Sequence, residues 1–260
     1  MIPLLAPLFP AEWAAFAEPL QVCATPPADA VCVARLIDQP QLLARALQRY
    51  ADELGVHGPD LRAVASAWTL DYVWTLLPGI VAAASVLQHG FAVAAADLYV
   101  QLGAHGRAQA FYLRGEGEAQ TGLSTAARYD TLLWRHLQPL FAALHQHSRL
   151  PRKILWGNAA RHLETLLDHA LSATGHAPHV AADRAVLLDH AQWPDGRRNP
   201  LFSTPCSVLK PGAAAPLTLH RQCCLFNRLP GEDYCGACPL APQHIALKAA
   251  TPTASVAGLP

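Results

Sequence analysis

Lysine is scarce in this 260-residue sequence, and neither sign of charge predominates. Lys153, Lys210 and Lys248 are its only lysines, and its nineteen basic residues are balanced by nineteen acidic ones. Non-specific nucleic-acid binding depends on an excess of basic residues that neutralise phosphates, so we expect no nucleic-acid partner. Nearly all of the positive charge is arginine, which suits planar, multidentate anions better than lysine does.

Sequence motifs of several common enzyme classes are also missing. The sequence has no phosphate-binding loop, no His-Glu-x-x-His zinc motif and no Gly-x-Ser-x-Gly nucleophile elbow. Gly115-Glu-Gly117 resembles the start of a dinucleotide fingerprint, but the third glycine is misplaced at Gly122. We therefore predict no nicotinamide site, and we expect any reducing equivalents to come from a separate protein.

A long uncharged stretch raises the question of a membrane span. No Lys, Arg, Asp or Glu occurs between Asp71 and Asp97. Pro78-Gly79 and His89-Gly90 are expected to divide this stretch, and its many alanines insert into membranes less readily than leucines. We interpret it as two or three buried core helices, with a membrane span as the alternative.

Periodicity predicts a mainly α fold with a few short strands (α+β), in which a helical domain is capped by a C-terminal cysteine-rich hairpin. Apolar residues make up 52% of the chain and charged residues 15%, so a sizeable core can form. Helical spacing of apolar residues is found from Pro40 to Gly55, from Ser124 to His147 with a break near Pro139, and from Pro151 to about Ala173. The best upstream strand candidate is 108–118.

Composition suggests three consecutive regions. Residues 1–210 are predicted to be the mostly helical substrate-binding region, with a proline-containing linker at 203–216. Residues 211–240 would carry the cysteine hairpin, which a strand at 217–226 leads into. The Ala/Pro/Thr-rich residues 241–260 are expected to be loose.

Four cysteines within sixteen residues form the strongest chemical signal, and they are spaced as Cys-Cys, ten residues, then Cys-x-x-Cys. The Pro230-Gly231 pair between them predicts a type II turn that brings the four sulfurs together. Adjacent side chains on a strand point to opposite faces, so we expect a bend at the Cys-Cys pair. The four residues are Cys223, Cys224, Cys235 and Cys238.

Four thiolates suit a 2Fe-2S cluster or a structural zinc ion, and a disulfide pair is the third alternative. The other cysteines are Cys23, Cys32 and Cys206. An odd number of remaining cysteines cannot all pair as disulfides within one chain. The apolar N-terminal segment lacks the basic residues that begin a signal peptide, so we expect free thiols in a reducing compartment. We expect these three cysteines to be dispensable.

The cysteine pattern resembles the C-terminal signature of the FhuF family of siderophore ferric-iron reductases. Arg221 and Pro239-Leu240 flank it as in that family, and weaker similarities lie at Trp68–Pro78, Leu155–Asn158 and Asn199–Phe202. The resemblance implies that all four cysteines bind a 2Fe-2S cluster. It also implies one-electron reduction of an Fe(III)-siderophore, which releases Fe(II) in the cytoplasm.

The same resemblance implies a ferric siderophore as substrate and a ferredoxin or a flavin/NAD(P)H reductase as electron donor. Peripheral association with the cytoplasmic face of the inner membrane would fit such a protein. The candidate substrate-binding residues lie near the Leu155–Asn158 segment, near the linker and beside the cysteines. They are Trp156, Asn158, Arg161, Arg198, Arg221 and Arg228.

These residues have alternative structural roles, and the chain has alternative functions. The arginines suit a solvated face, and Asn158 suits a structural hydrogen bond at a helix start. The cysteines would equally serve a zinc-binding or iron–sulfur sensing or structural module without reductase activity. Siderophore synthetases share a distantly similar region, but the missing phosphate loop argues against use of ATP.

Overall fold

The structure is a computed structural model that describes residues 1–250, and the side chains of residues 1–248. Its α-helices are α1 (Ala14–Ala17), α2 (Val33–Asp38), α3 (Pro40–Glu53), α4 (Arg62–Val81), α5 (Thr125–Leu132), α6 (Gln138–Ser148), α7 (Arg152–Ala173), α8 (Pro178–Arg184) and α9 (Pro242–Ala250). Its short strands are β1 (Leu20–Val22), β2 (Ala30–Cys32), β3 (His89–Gly90), β4 (Tyr99–Leu102), β5 (Ala108–Leu113), β6 (Glu118–Ala119), β7 (Cys206–Val208) and β8 (Leu217–Leu219). The predicted mainly α class is confirmed.

Helix α4 is the central element of the core, and it packs chiefly against α7. The prediction that Pro78-Gly79 would end a helix here is wrong, because α4 runs through both residues into a π-helical turn at Ala82–Val86. An interior proline costs about 3 kcal/mol in hydrogen bonding and clash. Burial of α4 on nearly all sides outweighs that cost. Gly79 also leaves room for Leu20, whose Cδ2 would lie 3.0 Å from a Cβ there.

The segment Arg62–Val86 is long and apolar enough to cross a membrane, but 67% of its most hydrophobic window is buried inside the protein. The same burial is expected of a core helix in a globular domain, where neighbouring helices replace lipid as the apolar surroundings. This favours the interpretation as buried core over a membrane span.

A four-stranded sheet covers one side of α4 in the order β1-β5-β4-β2. Strand β1 is parallel to β5, and the other two pairs are antiparallel. Tyr72 of α4 packs edge-on against Phe111 of β5, with ring centroids 5.0 Å apart. The strand predicted at 108–118 is confirmed over its first six residues.

The predicted helices at 40–55 and from Pro151 are confirmed as α3 and α7, and Gly55, just after α3, adopts the left-handed conformation typical of a C-terminal cap with φ of 66°. The helix predicted from Ser124 begins there, because the Ser124 hydroxyl accepts a hydrogen bond from the Ala127 amide at 3.3 Å. The chain stays helical through a π-helical turn at Leu133–Leu137, which joins α5 to α6 just before Pro139. The predicted break near Pro139 is therefore wrong, because Pro139 lies in the first turn of α6, where a proline is tolerated.

The C-terminal part differs from the prediction in two places. The supposed linker contains β7, which pairs antiparallel with β8, so the predicted boundary at residue 210 falls inside a hairpin. The supposed loose tail begins with helix α9, whose His244 is completely buried. Pro242 suits the first turn of a helix, and burial of His244 adds the tertiary contact that composition does not reveal. Residues 251–260 lie outside the described residues.

Candidate functional site

A tight turn brings the ends of the cysteine segment together. Gly231 has a φ of 75°, and the Glu232 amide donates a hydrogen bond to the Leu229 carbonyl at 3.2 Å. The Cys223 and Cys238 sulfurs lie 3.8 Å apart. Two thiolates on one tetrahedral metal, each bonded at about 2.3 Å, are separated by about that distance, whereas a disulfide bond measures about 2.05 Å. The predicted turn and the predicted approach of these two cysteines are both confirmed, and all seven cysteines are free.

The chain bends at the vicinal cysteines, as expected. Strand β8 ends at Leu219, so the strand predicted at 217–226 is confirmed only over its first three residues, and Cys223 and Cys224 belong to no strand. Leu225 adopts a left-handed conformation with φ of 60°, which turns its amide back onto the Cys223 sulfur at 3.3 Å. Both cysteines are buried, with exposed fractions of 7% and 3%. The bend therefore directs two successive side chains into the interior.

Each of the four sulfurs faces at least one N–H donor. N–H groups that point at sulfur favour the thiolate over the thiol and tune the potential of a bound cluster. In chain order from Cys223 to Cys238, the donors are the Leu225 amide, the Arg161 guanidinium, the Ala237 amide, and the amides of Leu240 and Ala241.

Burial is the largest influence on the thiol pKa values. It raises the pKa of Cys235 and of Cys238 above the ordinary value. The positive charge of Arg161 and the Ala237 amide act in the opposite direction on the Cys235 pKa. A metal that binds here must displace these protons, so metal affinity should increase with pH.

The cysteine sulfurs approach one another as at least one pair, Cys223 and Cys238, at the separation that one metal ion requires. Among the described residues, no three His, Cys, Asp or Glu side chains are grouped so as to hold one metal ion. Structural zinc needs four ligands around a single tetrahedral ion, whereas a 2Fe-2S cluster takes its thiolates two by two. The pair Cys223 and Cys238 matches one such half. Arg161 also has a buried Nη2 with no hydrogen-bond acceptor, and the sulfides of a cluster are acceptors of the kind this atom lacks.

One face of α7 supports the cysteine segment. Lys153, Gly157, Arg161 and Glu164 are spaced by four, four and three residues, so they share that face. Gly157 is required by a close approach, because a Cβ there would lie 2.6 Å from the Cβ of Gln222. Arg161 Nη1 lies 3.8 Å from the Cys224 sulfur.

A cavity of about 530 Å³ adjoins the cysteines, and Arg221 and Gln222 in its wall directly precede Cys223. Its volume is within the usual range for small-molecule sites. Trp156 in its wall packs edge-on against Phe141, with centroids 5.0 Å apart, which fixes the indole. The lining residues are Lys153, Trp156, Gly157, Arg198, Asn199, Pro200, Leu201, Phe202, Ser203, Thr204, Arg221 and Gln222.

Three of the six predicted substrate residues line this cavity, and they are Trp156, Arg198 and Arg221. Arg161 instead contacts a cysteine sulfur. Asn158 is a correction, because it is 1% exposed on the face of α7 toward α4 and donates to the Ser66 hydroxyl at 2.9 Å.

Arg228 is a second correction. It is exposed on a short 3-10 helix, Phe226–Arg228, outside the cavity, and its charge acts on Asp60. A basic residue near the cysteines in sequence therefore need not face the same space, because the turn after Leu225 carries Arg228 away from the cavity wall.

Some residues of the site are missing from the sequence-based set. Lys153 and Gln222 line the cavity. The position of Lys153, four residues before Gly157 on the same face of α7, is a pattern from which it can be predicted. His244 on α9 hydrogen-bonds through Nδ1 to the Cys238 carbonyl at 2.8 Å, and its Nε2 is buried without a partner. No local pattern marks His244, because its position depends on how α9 packs on the cysteine segment.

Comparisons with known proteins match both parts of this site. The family model described as ferric iron reductase FhuF-like transporter matches residues 66–214, and the model of the FhuF 2Fe-2S C-terminal domain matches residues 221–240. The ferric siderophore reductase of Escherichia coli (strain K12) is 26% identical over 206 residues, which cover 77% of this chain and 76% of that protein.

Solved structures show a related fold in a different setting. ATP-bound aerobactin synthetase IucA from Klebsiella pneumoniae aligns with a TM-score of 0.53 at 17% identity, covering 67% of this chain but only 37% of the synthetase. A second IucA structure gives a TM-score of 0.51 at 18% identity, covering 67% of this chain and 38% of the synthetase. At such identities the likeness concerns the fold alone.

The matched helical region includes most of α4 and all of α7. The matched C-terminal segment includes all four clustered cysteines and is the segment expected to carry a 2Fe-2S cluster. Since the first of these models covers more than half of the sequence, this chain belongs to the FhuF family of ferric iron reductase-like proteins.

Proposed function

We propose that this protein is a siderophore-iron reductase, in which Cys223, Cys224, Cys235 and Cys238 hold a 2Fe-2S cluster beside the substrate cavity. The observation that carries the proposal is that the cavity and the cysteine centre are adjacent. Arg221 and Gln222 line the cavity and directly precede Cys223 in the sequence. A chelate in the cavity would be separated from the cysteine centre by a short stretch of chain. The name of the Escherichia coli relative supports this assignment.

The chemistry follows from the preferences of iron. Siderophore oxygens are hard donors that strongly favour Fe(III), so reduction to Fe(II) weakens the complex and lets other cellular ligands take the metal. A 2Fe-2S cluster held by the four cysteines would supply that electron, one at a time, and an external reductant would replace it. The protein's own contribution is to bind the chelate and to set the potential of the centre.

Arg161 is the residue best placed to set that potential. Its guanidinium lies 3.8 Å from the Cys224 sulfur and also acts electrostatically on Cys235. A positive charge and an N–H donor at sulfur both stabilise the reduced, more negative state, so they raise the potential. In this proposal Arg161 acts on the cysteine centre, and the residues that line the cavity bind the substrate.

The sequence has no nicotinamide or flavin motif, so we assign the electron supply to a ferredoxin or to a flavin/NAD(P)H reductase. We place the protein in the cytoplasm, where released Fe(II) is used, with peripheral association at the inner membrane as a further feature to test. Cell fractionation with and without salt washes checks that localisation.

A single-turnover experiment tests the function. The anaerobically purified protein is reduced, excess reductant is removed, and a ferric siderophore is added in the presence of a coloured Fe(II) chelator. The cluster absorption should return as Fe(II) appears, with about one Fe(II) formed per chain, because the cluster carries one electron.

The matched control is Cys206→Ser, which alters an exposed cysteine of β7 outside the cluster. This variant should retain the full reaction. A reduced protein whose absorption does not change on addition of any ferric siderophore would contradict the reductase proposal and favour a sensing or structural role for the centre.

A further inference from the structure

The cavity beside the cysteines carries positive charge that its own walls do not balance. Lys153 lies in the first turn of α7, and Arg198 lies in the loop that follows α8. Within the described part of the chain, neither side chain has a hydrogen bond or an ion pair. No Asp or Glu occurs among the residues that line the cavity. The two charges are therefore available to a ligand.

Arg221 adds a buried donor to the same wall. Its side chain is 5% exposed, and its terminal nitrogens donate to the Ser203 carbonyl at 2.7 Å and to Glu164 at 3.2 Å. Its Nε is buried and has no hydrogen-bond partner. A buried N–H without an acceptor is costly, so an acceptor atom from a ligand is expected to satisfy it.

The start of α7 strengthens the same preference. Helix N-termini carry partial positive charge, and the first turn of α7 contains no acidic residue that would offset it. Trp156, Leu201 and Phe202 give the wall an apolar part, and its other side chains include uncharged polar ones. The cavity thus combines an apolar surface with cations and an unsatisfied N–H, which suits an organic ligand that bears an oxyanion.

We propose that the preferred substrate is a ferric chelate that carries a free carboxylate, as citrate-based chelates do, and that Lys153 and Arg198 bind this carboxylate. The proposal rests on the reductase function given above and specifies its substrate class. Guanidinium groups bind carboxylates through two parallel hydrogen bonds, which a neutral hydroxamate chelate does not accept in the same way. Net negative charge also concentrates the ligand at a cavity whose two free charges are positive.

Binding can be measured without electron transfer when the ferric ion is replaced by redox-inert Ga(III). Calorimetric titrations of the cluster-loaded full chain would compare the Ga(III) complex of a citrate-based dihydroxamate with that of a neutral cyclic trihydroxamate. The carboxylate chelate should bind about tenfold more tightly or better, since a charge-assisted hydrogen bond contributes roughly one such factor.

The decisive variant is Lys153→Met combined with Arg198→Gln, which should abolish this preference while the neutral chelate binds as before. Its control is Lys210→Met combined with Arg49→Gln, which removes the same charge from exposed positions outside the cavity and should keep the preference.

Equal affinity for the two chelates would overturn the proposal, and so would a preference that survives in the cavity variant or disappears in the control. These outcomes are independent of the reductase assignment, because Ga(III) binding reports on the cavity alone. A protein that reduces neutral ferric chelates without any carboxylate preference would keep its function and lose this substrate class.

Discussion

The Asp183 carboxylate in the helical core and the Nη2 atom of the half-buried Arg161 beside the cysteines are both buried, yet only the carboxylate has its hydrogen bonds satisfied by the protein. Asp183 accepts hydrogen bonds from Ser85 at 2.8 Å and from Thr125 at 2.6 Å, and it forms a buried ion pair with Arg128. These partners come from the π-helical turn after α4 and from α5, so the network ties three parts of the helical region together.

In the cysteine segment, some hydrogen-bond donors are present without acceptors from the protein. N–H groups face all four sulfurs, and buried nitrogens on Arg161, Arg221 and His244 have no partner in the protein. Native proteins rarely leave buried polar atoms unpaired, and those that remain usually mark a function or a ligand. Arg128 Nε in the Asp183 network is also buried without a partner. The two regions differ because the Asp183 carboxylate is satisfied by protein donors, whereas three unpaired nitrogens lie near four cysteine sulfurs, an arrangement that suits a bound group. Variants in the two regions should therefore fail in different ways.

Cys238→Ser should have the largest effect and should abolish the bound iron and the reduction of ferric siderophores. The serine hydroxyl stays protonated at neutral pH and is a poor ligand for iron, while the shape of the side chain changes little. Iron analysis would measure the loss of bound iron, and circular dichroism would show whether the helical fold persists, as expected. Retention of a full iron complement in this variant would contradict the ligand assignment.

Asp183→Ala should destabilise the fold by about 3–5 kcal/mol, because it leaves the charge of Arg128 buried without its partner. Urea unfolding measures this free energy. Asp195→Ala, which breaks an exposed pair with Arg197, is the control and should change stability little. If the buried and exposed variants behaved alike, the distinct role of the core network would be lost.

Acidification should weaken the folded core at His136. Burial lowers the pKa of His136 to about 4, and its two ring nitrogens already contact Tyr72 and the Val93 carbonyl. At this position the unfolded chain binds a proton near pH 6.5 and the folded chain does not, so the contribution of His136 to stability is constant above that pH and falls by about 3 kcal/mol toward pH 4. His136→Gln should flatten this slope in urea titrations at a series of pH values; an unchanged slope would contradict the assignment.

Arg161→Gln should have the smallest effect and the most selective one. Loss of the charge and of the N–H donor at Cys224 should lower the reduction potential by about 60 mV, the equivalent of roughly 1.4 kcal/mol for one electron. Spectroscopic redox titration measures this shift. Arg161→Lys should give an intermediate potential, and Arg152→Gln, an exposed change on the same helix, should leave it unaltered. A potential that is the same in all four proteins would remove Arg161 from its tuning role.

The sequence predicts most of the helices and the local geometry of the cysteines, because both are encoded over short distances. The Pro230-Gly231 turn follows from local backbone preferences, and the bend at Cys223-Cys224 follows from the need to direct two adjacent side chains to one side. Helix α4 shows the limit of such rules, since its tertiary burial overrides the local signal of Pro78 to break the helix.

Only some of the residues that line the cavity can be predicted from the sequence, because tertiary contacts decide which side chains face it. Trp156 and Arg198 were selected from sequence, but Asn158, two residues after Trp156, faces α4 instead. Which side of α7 meets the cysteine segment depends on the contact of Gly157 with Gln222, and His244 enters only because α9 packs there. These placements arise from residues far apart in sequence.

The measurement that tests the central claim most directly is iron, zinc and acid-labile sulfide analysis, with a visible spectrum, on protein purified without oxygen. The account predicts about two iron and two sulfide per chain and an absorption that dithionite bleaches. About one zinc per chain, with no sulfide and no colour, would contradict it and would leave the four cysteines as a structural site.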